Sequence, residues 1–221
     1  VGAAVSLFPC AGAVVATDHR FGGSAPRAGS PRRRDLVMYL GGDSYAQGLS
    51  TAEAFAALLE ANGVTGKCIE LQGSLTDVNA LNRSQAWNEV DAASDAYETL
   101  VQVPTNWDPT QFLSGTANAI QANPDANCMF LASDFAINSV QSALESAGRW
   151  APTGDPAHMW LATQDLFPEA LALMEQGYVD VTTTYDAFEH AKEAVRVLIA
   201  IVKGEDPGCS EAGCLVAGRV A

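Results

Sequence analysis

The sequence has few basic side chains and none of the short motifs that mark common catalytic sites. It carries 12 lysines and arginines against 26 aspartates and glutamates, which gives a formal net charge of −14. That charge repels phosphate backbones and anionic lipid surfaces and argues against nucleic-acid binding. The chain has no G-x-S-x-G motif, no Walker-type glycine loop and no His-x-x-x-His pair. We therefore expect no enzymatic activity, no cofactor and no metal site.

Long apolar segments are also scarce. Residues 1–15 are apolar enough to suggest a secretory signal, but they lack a basic start and continue into a strand-like pattern. We interpret them as part of the fold. No other segment approaches the apolar length of a membrane span. The 221 residues are 48% hydrophobic, which is ample for a packed core in one large domain or two modest lobes.

The five cysteines are too few for a disulfide scaffold in a chain of this length. Cys68 and Cys128 lie inside apolar strand patterns, and we interpret them as small buried hydrophobic residues. Cys209 and Cys214 lie close together in a glycine-rich tail. In an oxidising compartment these two cysteines could form a disulfide.

Short apolar runs alternate with amphipathic helical patterns along most of the chain. Strands are predicted at residues 13–17, 36–40, 67–71, 100–103, 128–132, 159–163 and 179–184. Helices are predicted at residues 50–61, 78–87, from 109 to about 121, 134–147, 168–176 and 187–203. Alternation with short connections predicts right-handed crossovers, and therefore a doubly wound α/β fold with parallel sheets covered on both faces.

Polar and aromatic side chains follow the predicted strands. At the carboxyl ends of parallel strands they should converge on one crevice, which is where ligands bind in such sheets. The mixture suits a neutral polyol, whose hydroxyls donate and accept hydrogen bonds while its C–H face stacks on an indole, and a carbohydrate is the natural candidate. The residues are Asp18, His19, Arg20, Gly73, Ser74, Thr76, Asn106, Trp107, Asp108, Ser133, Asp134, Gln164, Asp165, Tyr185 and Asp186.

Several of these residues have a structural alternative. Asp108, Asp134 and Asp186 stand where helix N-caps belong, and we interpret them as caps. Trp107 precedes a cap, so it could pack against the helix that follows or stack on a ligand. Asp18 and Asp165 are stronger site candidates, because a carboxylate beside an apolar strand requires a partner or a ligand.

Arg83 lies in a predicted helix and has two readings. It could reach into the crevice as a multidentate donor. Alternatively, it is an exposed side chain that pairs with a nearby acid such as Glu89, and the residues alone favour that second reading.

The order of these motifs resembles that of type I periplasmic sugar-binding proteins of the ribose-binding group. Residues 12–18 resemble the family's G-I-P-V-V-T-x-D strand, and residues 42–48 resemble its S-D-N-x-x-x-G segment, where the chain crosses between lobes. The latter implies a hinge near Asp43. Asn82-Arg83-Ser84 occupies the place of the E-R-x-x-G motif, whose arginine binds ligand. The resemblance thus raises Arg83 above its exposed-pair reading.

The resemblance implies a role for further residues. Trp107 matches the ring that stacks on the sugar, and Asp18 and Asp165 match aspartates that bind sugar hydroxyls. Ser133 stands where the family has a ligand-binding asparagine, which implies a specificity different from ribose. The ligand-binding set that follows from the resemblance is Asp18, His19, Arg20, Arg83, Trp107, Ser133, Asp165 and Tyr185.

The resemblance, which covers about residues 10–207, also implies a function and a domain plan. It implies a monomeric, extracytoplasmic protein, periplasmic or lipid-anchored, that closes two lobes over a sugar and is recognised by the permease of an ABC transporter. Residues 1–43 correspond to a remnant of the first lobe, 44–184 to the second lobe, and 185–221 to a return helix and tail. Relatives have about two more crossover units before residue 12, so the chain resembles a fragment.

Two other functions share this fold class. The ligand-sensing core of a lactose-repressor-type regulator is the main alternative, although the acidic charge and the tail cysteines disfavour it. An α/β enzyme with Asp18, His19 and Asp165 as an acid–base set is a weaker one.

Overall fold

The computed structural model describes residues 4–7, 12–16, 36–41, 43–184 and 187–208. These residues form two compact units. The first unit contains residues 4–7 and 44–184, and the second contains residues 12–16, 36–41, 43 and 187–208. Within the described ranges, no helix has the length and apolar character needed to cross a bilayer.

Eight strands are present in the described part of the chain. They are β1 (Ala4–Leu7), β2 (Gly12–Ala16), β3 (Leu36–Gly41), β4 (Gly66–Gln72), β5 (Tyr97–Pro104), β6 (Cys128–Leu131), β7 (Trp160–Gln164) and β8 (Val181–Thr184). Six of them form the sheet of the first unit, in the order β1-β8-β7-β6-β4-β5, and every pairing in it is parallel. The predicted strands after residue 60 are confirmed, whereas β1 was not predicted.

Six helices accompany these strands. They are α1 (Ser44–Ala61), α2 (Val78–Ala93), α3 (Pro109–Ala122), α4 (Ile137–Ser146), α5 (Pro168–Glu175) and α6 (Ala187–Lys203). The bounds of α6 agree with the prediction, and α3 begins as predicted, with the Asp108 side chain accepting from Thr110 N–H and proline at the first helical position. Helix α1 begins six residues earlier than the apolar periodicity indicated, at Ser44 rather than Ser50.

Helices cover both faces of the six-stranded sheet, as the prediction of a doubly wound fold requires. Alternate residues of β4 point to opposite faces. Ile69 and Leu71 lie in one apolar cluster with α3 and α4, whereas Cys68 lies in the other, beneath α1 and α2. In that second cluster the Trp87 ring stacks on the rings of Phe130 and Tyr97, at centroid distances of 4.5 and 4.3 Å.

The interpretation of Cys68 and Cys128 as simple hydrophobic residues is wrong. Both are fully buried, as predicted, but they form a disulfide. They are register partners on the neighbouring parallel strands β4 and β6, with their Cα atoms 4.4 Å apart. The pairing depends on the strand order, because β6 lies beside β4 although β5 comes between them in the sequence.

The second unit contains the two-stranded sheet and α6. Strands β2 and β3 pair antiparallel, with Val14 opposite Tyr39, which differs from the expected parallel arrangement of the whole chain. Parallel neighbours need a crossover of a dozen or more residues, usually a helix, whereas antiparallel neighbours do not. Residues 22–31 are rich in glycine, proline and serine and predict no helix.

Candidate functional site

Backbone strain in the described residues is concentrated at the carboxyl edge of the six-stranded sheet. Four residues other than glycine have positive φ: Asn106 (51°) and Trp107 (59°) follow β5, while Asp165 (91°) and Leu166 (54°) follow β7. Such conformations are costly for residues with a Cβ and persist where the surrounding structure holds them, often at ligand sites. This edge is also where ligands bind in open α/β sheets.

A buried ion pair between Arg83 and Asp165 forms the centre of this edge. The Arg83 Nη2 atom lies 2.7 Å from Asp165 Oδ1, and Nη1 lies 3.2 Å from Oδ2, so the pair is bidentate. The two side chains are 6% and 15% exposed. The exposed-pair reading of Arg83 is therefore wrong, and Glu89 accepts from Tyr45 and Gln85 instead.

Two further acceptors complete the surroundings of the guanidinium. Arg83 Nη2 donates to Gln47 Oε1 at 2.8 Å, and Nη1 donates to the carbonyl of Ala132 at 2.6 Å. All four terminal N–H groups of Arg83 thus have protein acceptors, whereas its buried Nε has none. Asp165 is the member of the pair with the greater exposure, so it is the better placed to accept from a ligand hydroxyl.

Close packing of α1 against α2 brings Gln47 to Arg83. A Cβ atom at Gly48 would lie 2.9 Å from the Arg83 Cα, so the glycine is required for this approach. Sequence reasoning missed Gln47, because it treated residues 42–48 as a hinge segment. Its position one residue before that glycine is the signal that could have pointed to it.

The backbone around Asp165 is held by β8. Asp165 N–H donates to the Thr183 carbonyl at 2.8 Å, and the Thr184 hydroxyl donates to the Asp165 carbonyl at 2.8 Å. The Gln47 amide also donates to the Thr183 carbonyl, at 3.2 Å. Strand β8 and helix α1 therefore fix the same turn from two sides.

Asp134 is fully buried directly behind this turn. The prediction that it caps its own helix is wrong, because the N-cap of α4 is Ala136 and no side chain caps it. The Asp134 carboxylate instead accepts from the N–H groups of Leu166 and Phe167, at 3.1 and 3.0 Å. Burial raises the pKa of this carboxyl to about 6, against the opposing effect of its hydrogen bonds.

Comparison with known proteins identifies the family. Residues 13–206 match the family described as periplasmic binding protein domain. The chain belongs to that family. Its architecture is accordingly the type I fold of periplasmic binding proteins, as the sequence resemblance predicted.

Relatives of this chain include a D-apiose import binding protein of Actinobacillus succinogenes, which is 26% identical over 159 residues. The match covers 72% of this chain and 48% of the relative. The curated relative is thus named as a binding protein and not as an enzyme. This chain spans about half its length.

Solved structures of ABC transporter solute-binding proteins share the fold. One from Actinobacillus succinogenes, with bound D-allose, has a TM-score of 0.65 and 22% identity over 74% of this chain and 55% of the other. Another from Bacillus halodurans, with bound myo-inositol, has a TM-score of 0.65 and 23% identity over 74% of this chain and 54% of the other.

Trp107 lies on the same edge of the six-stranded sheet, in the turn that follows β5. Its Nε1–H donates to Asp77 Oδ2 at 2.9 Å, and a Cβ at Gly73 would lie 2.0 Å from its ring. Phe135 approaches the ring edge-on, at a centroid distance of 6.2 Å. Phe135 is 39% exposed and is a second aromatic candidate, which the sequence did not single out.

The remaining predicted site residues fall into two groups. Ser133 is buried beside Asp134, and its hydroxyl accepts from Phe135 N–H at 3.5 Å. Asp18, His19, Arg20 and Tyr185 lie outside the described residues, as do the predicted cap Asp186 and the tail cysteines. Among the residues that are described, no group of three or more histidine, cysteine, aspartate or glutamate side chains is arranged to hold a metal ion.

Proposed function

We propose that this chain is part of an extracytoplasmic solute-binding protein that captures a sugar or related polyol between two lobes. Residues 44–184 form the second lobe in this proposal, residues 1–43 belong to the first, and residues 185–221 return to it. The observation that carries the proposal is the Arg83–Asp165 pair, held on a strained turn at the carboxyl edge of a sheet with the fold of this family.

The chemistry of this edge suits a ligand with several neighbouring hydroxyl groups. Asp165 accepts from a hydroxyl, and its charge is balanced by Arg83, so a neutral ligand adds no unpaired charge to the site. Ser133 supplies a further hydroxyl just after β6. D-Allose and myo-inositol, bound by two structural neighbours, share hydroxyls on adjacent carbons, which supports a sugar or cyclitol as the ligand class.

The partner and the compartment follow from the same proposal. Closure of two lobes over the sugar gives a form that an ABC transporter permease distinguishes from the open one. The buried disulfide between Cys68 and Cys128 supports an oxidising compartment such as the periplasm or the cell surface. Neither the family match nor the curated relative favours the repressor-type alternative.

Ligand-induced thermal stabilisation of the intact two-lobe protein tests the proposal. A ligand that binds only the native state raises the melting temperature. We expect one class among pentoses, hexoses and cyclitols to raise it, and the shift to disappear in Asp165→Asn, which removes the carboxylate that faces the ligand. Isothermal titration calorimetry then measures the affinity of wild type and variant for the active compound.

Asp125→Asn is the matched control. Asp125 is an exposed aspartate of the same lobe, at the amino end of β6, and its ion pair with Lys67 at 2.6 Å is worth little. This variant should bind like wild type. If no compound in the panel shifts the melting temperature of the wild-type protein, or if both variants bind equally well, the proposal is wrong.

A further inference from the structure

Asp134 bonds to the residues on both sides of Asp165. Before Asp165, the Thr163 hydroxyl donates to Asp134 Oδ2 at 3.0 Å, and Asp134 N–H donates to the Gln164 carbonyl at 2.9 Å. After it, the N–H groups of Leu166 and Phe167 donate to the two carboxylate oxygens, at 3.1 and 3.0 Å. One buried side chain and its own amide therefore span the whole turn that carries Asp165.

We propose that Asp134 is a positioning residue of the ligand site, which fixes the Asp165 carboxylate for the sugar without contacting the sugar itself. This inference rests on the proposed function. It adds a specific role for a residue that the sequence indicated only as a helix cap.

The strained backbone is the first argument. Asp165 and Leu166 both have positive φ, and such conformations relax unless their neighbours over-determine them. The bonds from Asp134 to Leu166 and Phe167 hold the carboxyl-terminal half of the turn, while Thr183 and Thr184 hold Asp165 itself. If the Asp134 carboxylate is removed, Leu166 and Phe167 lose the side-chain acceptors that keep their backbone from relaxing.

The chemistry of the donors is the second argument. Three good donors, namely one hydroxyl and two backbone N–H groups, converge on the Asp134 carboxylate, and a fourth hydroxyl, of Thr182, lies 3.5 Å away. A carboxylate accepts on both oxygens, whereas an asparagine turns an NH2 group toward one set of donors. The site therefore requires an acceptor-only side chain, despite the cost of burying it.

Among the described residues, the charged group that acts on Asp134 is Asp165, on the turn it holds, and Asp165 is itself paired with Arg83. From β8 the facing side chain is Thr182, which carries no charge. The nearby Asp165 charge adds to burial in raising the pKa of Asp134 to about 6. Protonation places a donor among donors, so sugar affinity should fall as the pH decreases through about 6.

Asp134→Asn in the intact protein tests the proposal. We expect its dissociation constant for the active sugar to rise roughly 10- to 100-fold, by analogy with metal sites that lose a hydrogen bond orienting a metal-ligating side chain. The amides of Leu166 and Phe167 should exchange faster with solvent, and the fall of affinity near pH 6 should flatten. Thr163→Val, which removes one donor at nearly constant volume, should weaken binding less and is the second variant if Asp134→Asn fails to fold.

Asp125→Asn is again the matched control, because Asp125 is an exposed aspartate at the amino edge of the same sheet, away from the Asp165 turn. It should keep the affinity and pH profile of wild type. Wild-type affinity in both Asp134→Asn and Thr163→Val would overturn the inference, and so would exchange that accelerates equally throughout the lobe. Wild-type protein that binds no sugar would instead overturn the proposed function, and unchanged exchange of the two amides would then overturn the inference separately.

Discussion

The amino and carboxyl edges of the six-stranded sheet use different residue types at their positive φ positions. Turns at the amino edge also need positive φ, and there the chain uses glycine, as at Gly154 (97°) and Gly177 (80°). At the carboxyl edge the positive φ positions are Asn106, Trp107, Asp165 and Leu166. Strain is thus avoided at the amino edge and is retained at the edge where we propose that a ligand binds.

Each edge also contains a buried ion pair, and the two pairs differ in how fully their polar atoms are hydrogen-bonded. At the amino edge, His158 Nε2 lies 3.0 Å from Asp180 Oδ2, and Nδ1 lies 2.7 Å from the Ala151 carbonyl. Both nitrogens face acceptors, so the protonated ring can donate from both. Asp180 also accepts from Leu161 N–H and the Thr153 hydroxyl, at 2.8 and 3.1 Å.

The Arg83–Asp165 pair at the carboxyl edge is less enclosed. Asp165 is 15% exposed and Arg83 Nε is buried without a partner, whereas the side chains of His158 and Asp180 are 4% and 3% exposed. The His158–Asp180 pair is buried and fully hydrogen-bonded, and it holds two loops together. The Arg83–Asp165 pair is partly exposed, so the Asp165 carboxylate can still accept a hydrogen bond from a ligand. Burial of an ion pair therefore does not by itself indicate a ligand site. Partial exposure of the carboxylate and strain in the backbone beside it distinguish the candidate site from a structural pair.

The largest expected effect comes from breaking the closed pair. Asp180→Ala leaves His158 and the Leu161 N–H without their acceptor, and loss of one partner from a buried pair costs about 3 kcal/mol or more. We expect urea unfolding to show that decrease, with sugar affinity unchanged under conditions where the variant is folded. A stability close to that of wild type would mean that the amino edge is not fixed by this pair.

The pH dependence of the same pair should be smaller, because its hydrogen bonds partly survive deprotonation. Burial lowers the pKa of His158, but the hydrogen bond and charge of Asp180 outweigh it, so the pKa is raised above 6.5. A raised pKa gives stability that is complete below 6.5 and is lost as the pH rises through the folded-state value. Urea unfolding across this range should show the loss in wild type and not in His158→Gln; an equal loss in both would contradict the assignment.

Local patterns predicted most of the first unit's framework, because the determinants of a strand or helix lie within the element. Helix α3 illustrates this, since Asp108 and Pro109 define its start within two residues. The apolar periodicity missed the start of α1 at Ser44, because the first turns carry polar residues such as Gln47, which faces Arg83 rather than an apolar core. A residue that serves a polar cluster interrupts the periodicity on which the prediction depends.

Contacts between distant residues were harder to predict. Arg83 was indicated by the family resemblance and Asp165 by its need for a partner, yet nothing local joins them, since they are 82 residues apart. The disulfide depends on strand order, and the role of Asp134 depends on a loop that follows the next strand. Each of these is decided by which strands become neighbours, which the composition of a single segment does not encode.

The smallest effects on the free energy of unfolding should come from replacing glycine by alanine at one positive φ position and asparagine by glycine at another. The two changes should have opposite signs. Gly177→Ala at the amino edge should lower the free energy of unfolding by about 1 kcal/mol, because a Cβ disfavours the left-handed region. The cause is φ and not space, since the nearest atom to that Cβ would be 3.6 Å away. Asn106→Gly at the carboxyl edge should raise the free energy of unfolding by roughly 0.5 kcal/mol, because glycine adopts φ of 51° without strain.

Urea unfolding measures both changes, and Glu175→Ala, at an exposed end of α5, is the control that should leave stability unchanged. The informative result is whether Asn106→Gly raises or lowers the free energy of unfolding. Its side chain makes only one exposed hydrogen bond, to Gln111 at 3.1 Å, so little other than strain is removed. If Asn106→Gly lowers the free energy of unfolding as much as Gly177→Ala does, the carboxyl-edge turn is not strained, and the two edges differ only in their ion pairs.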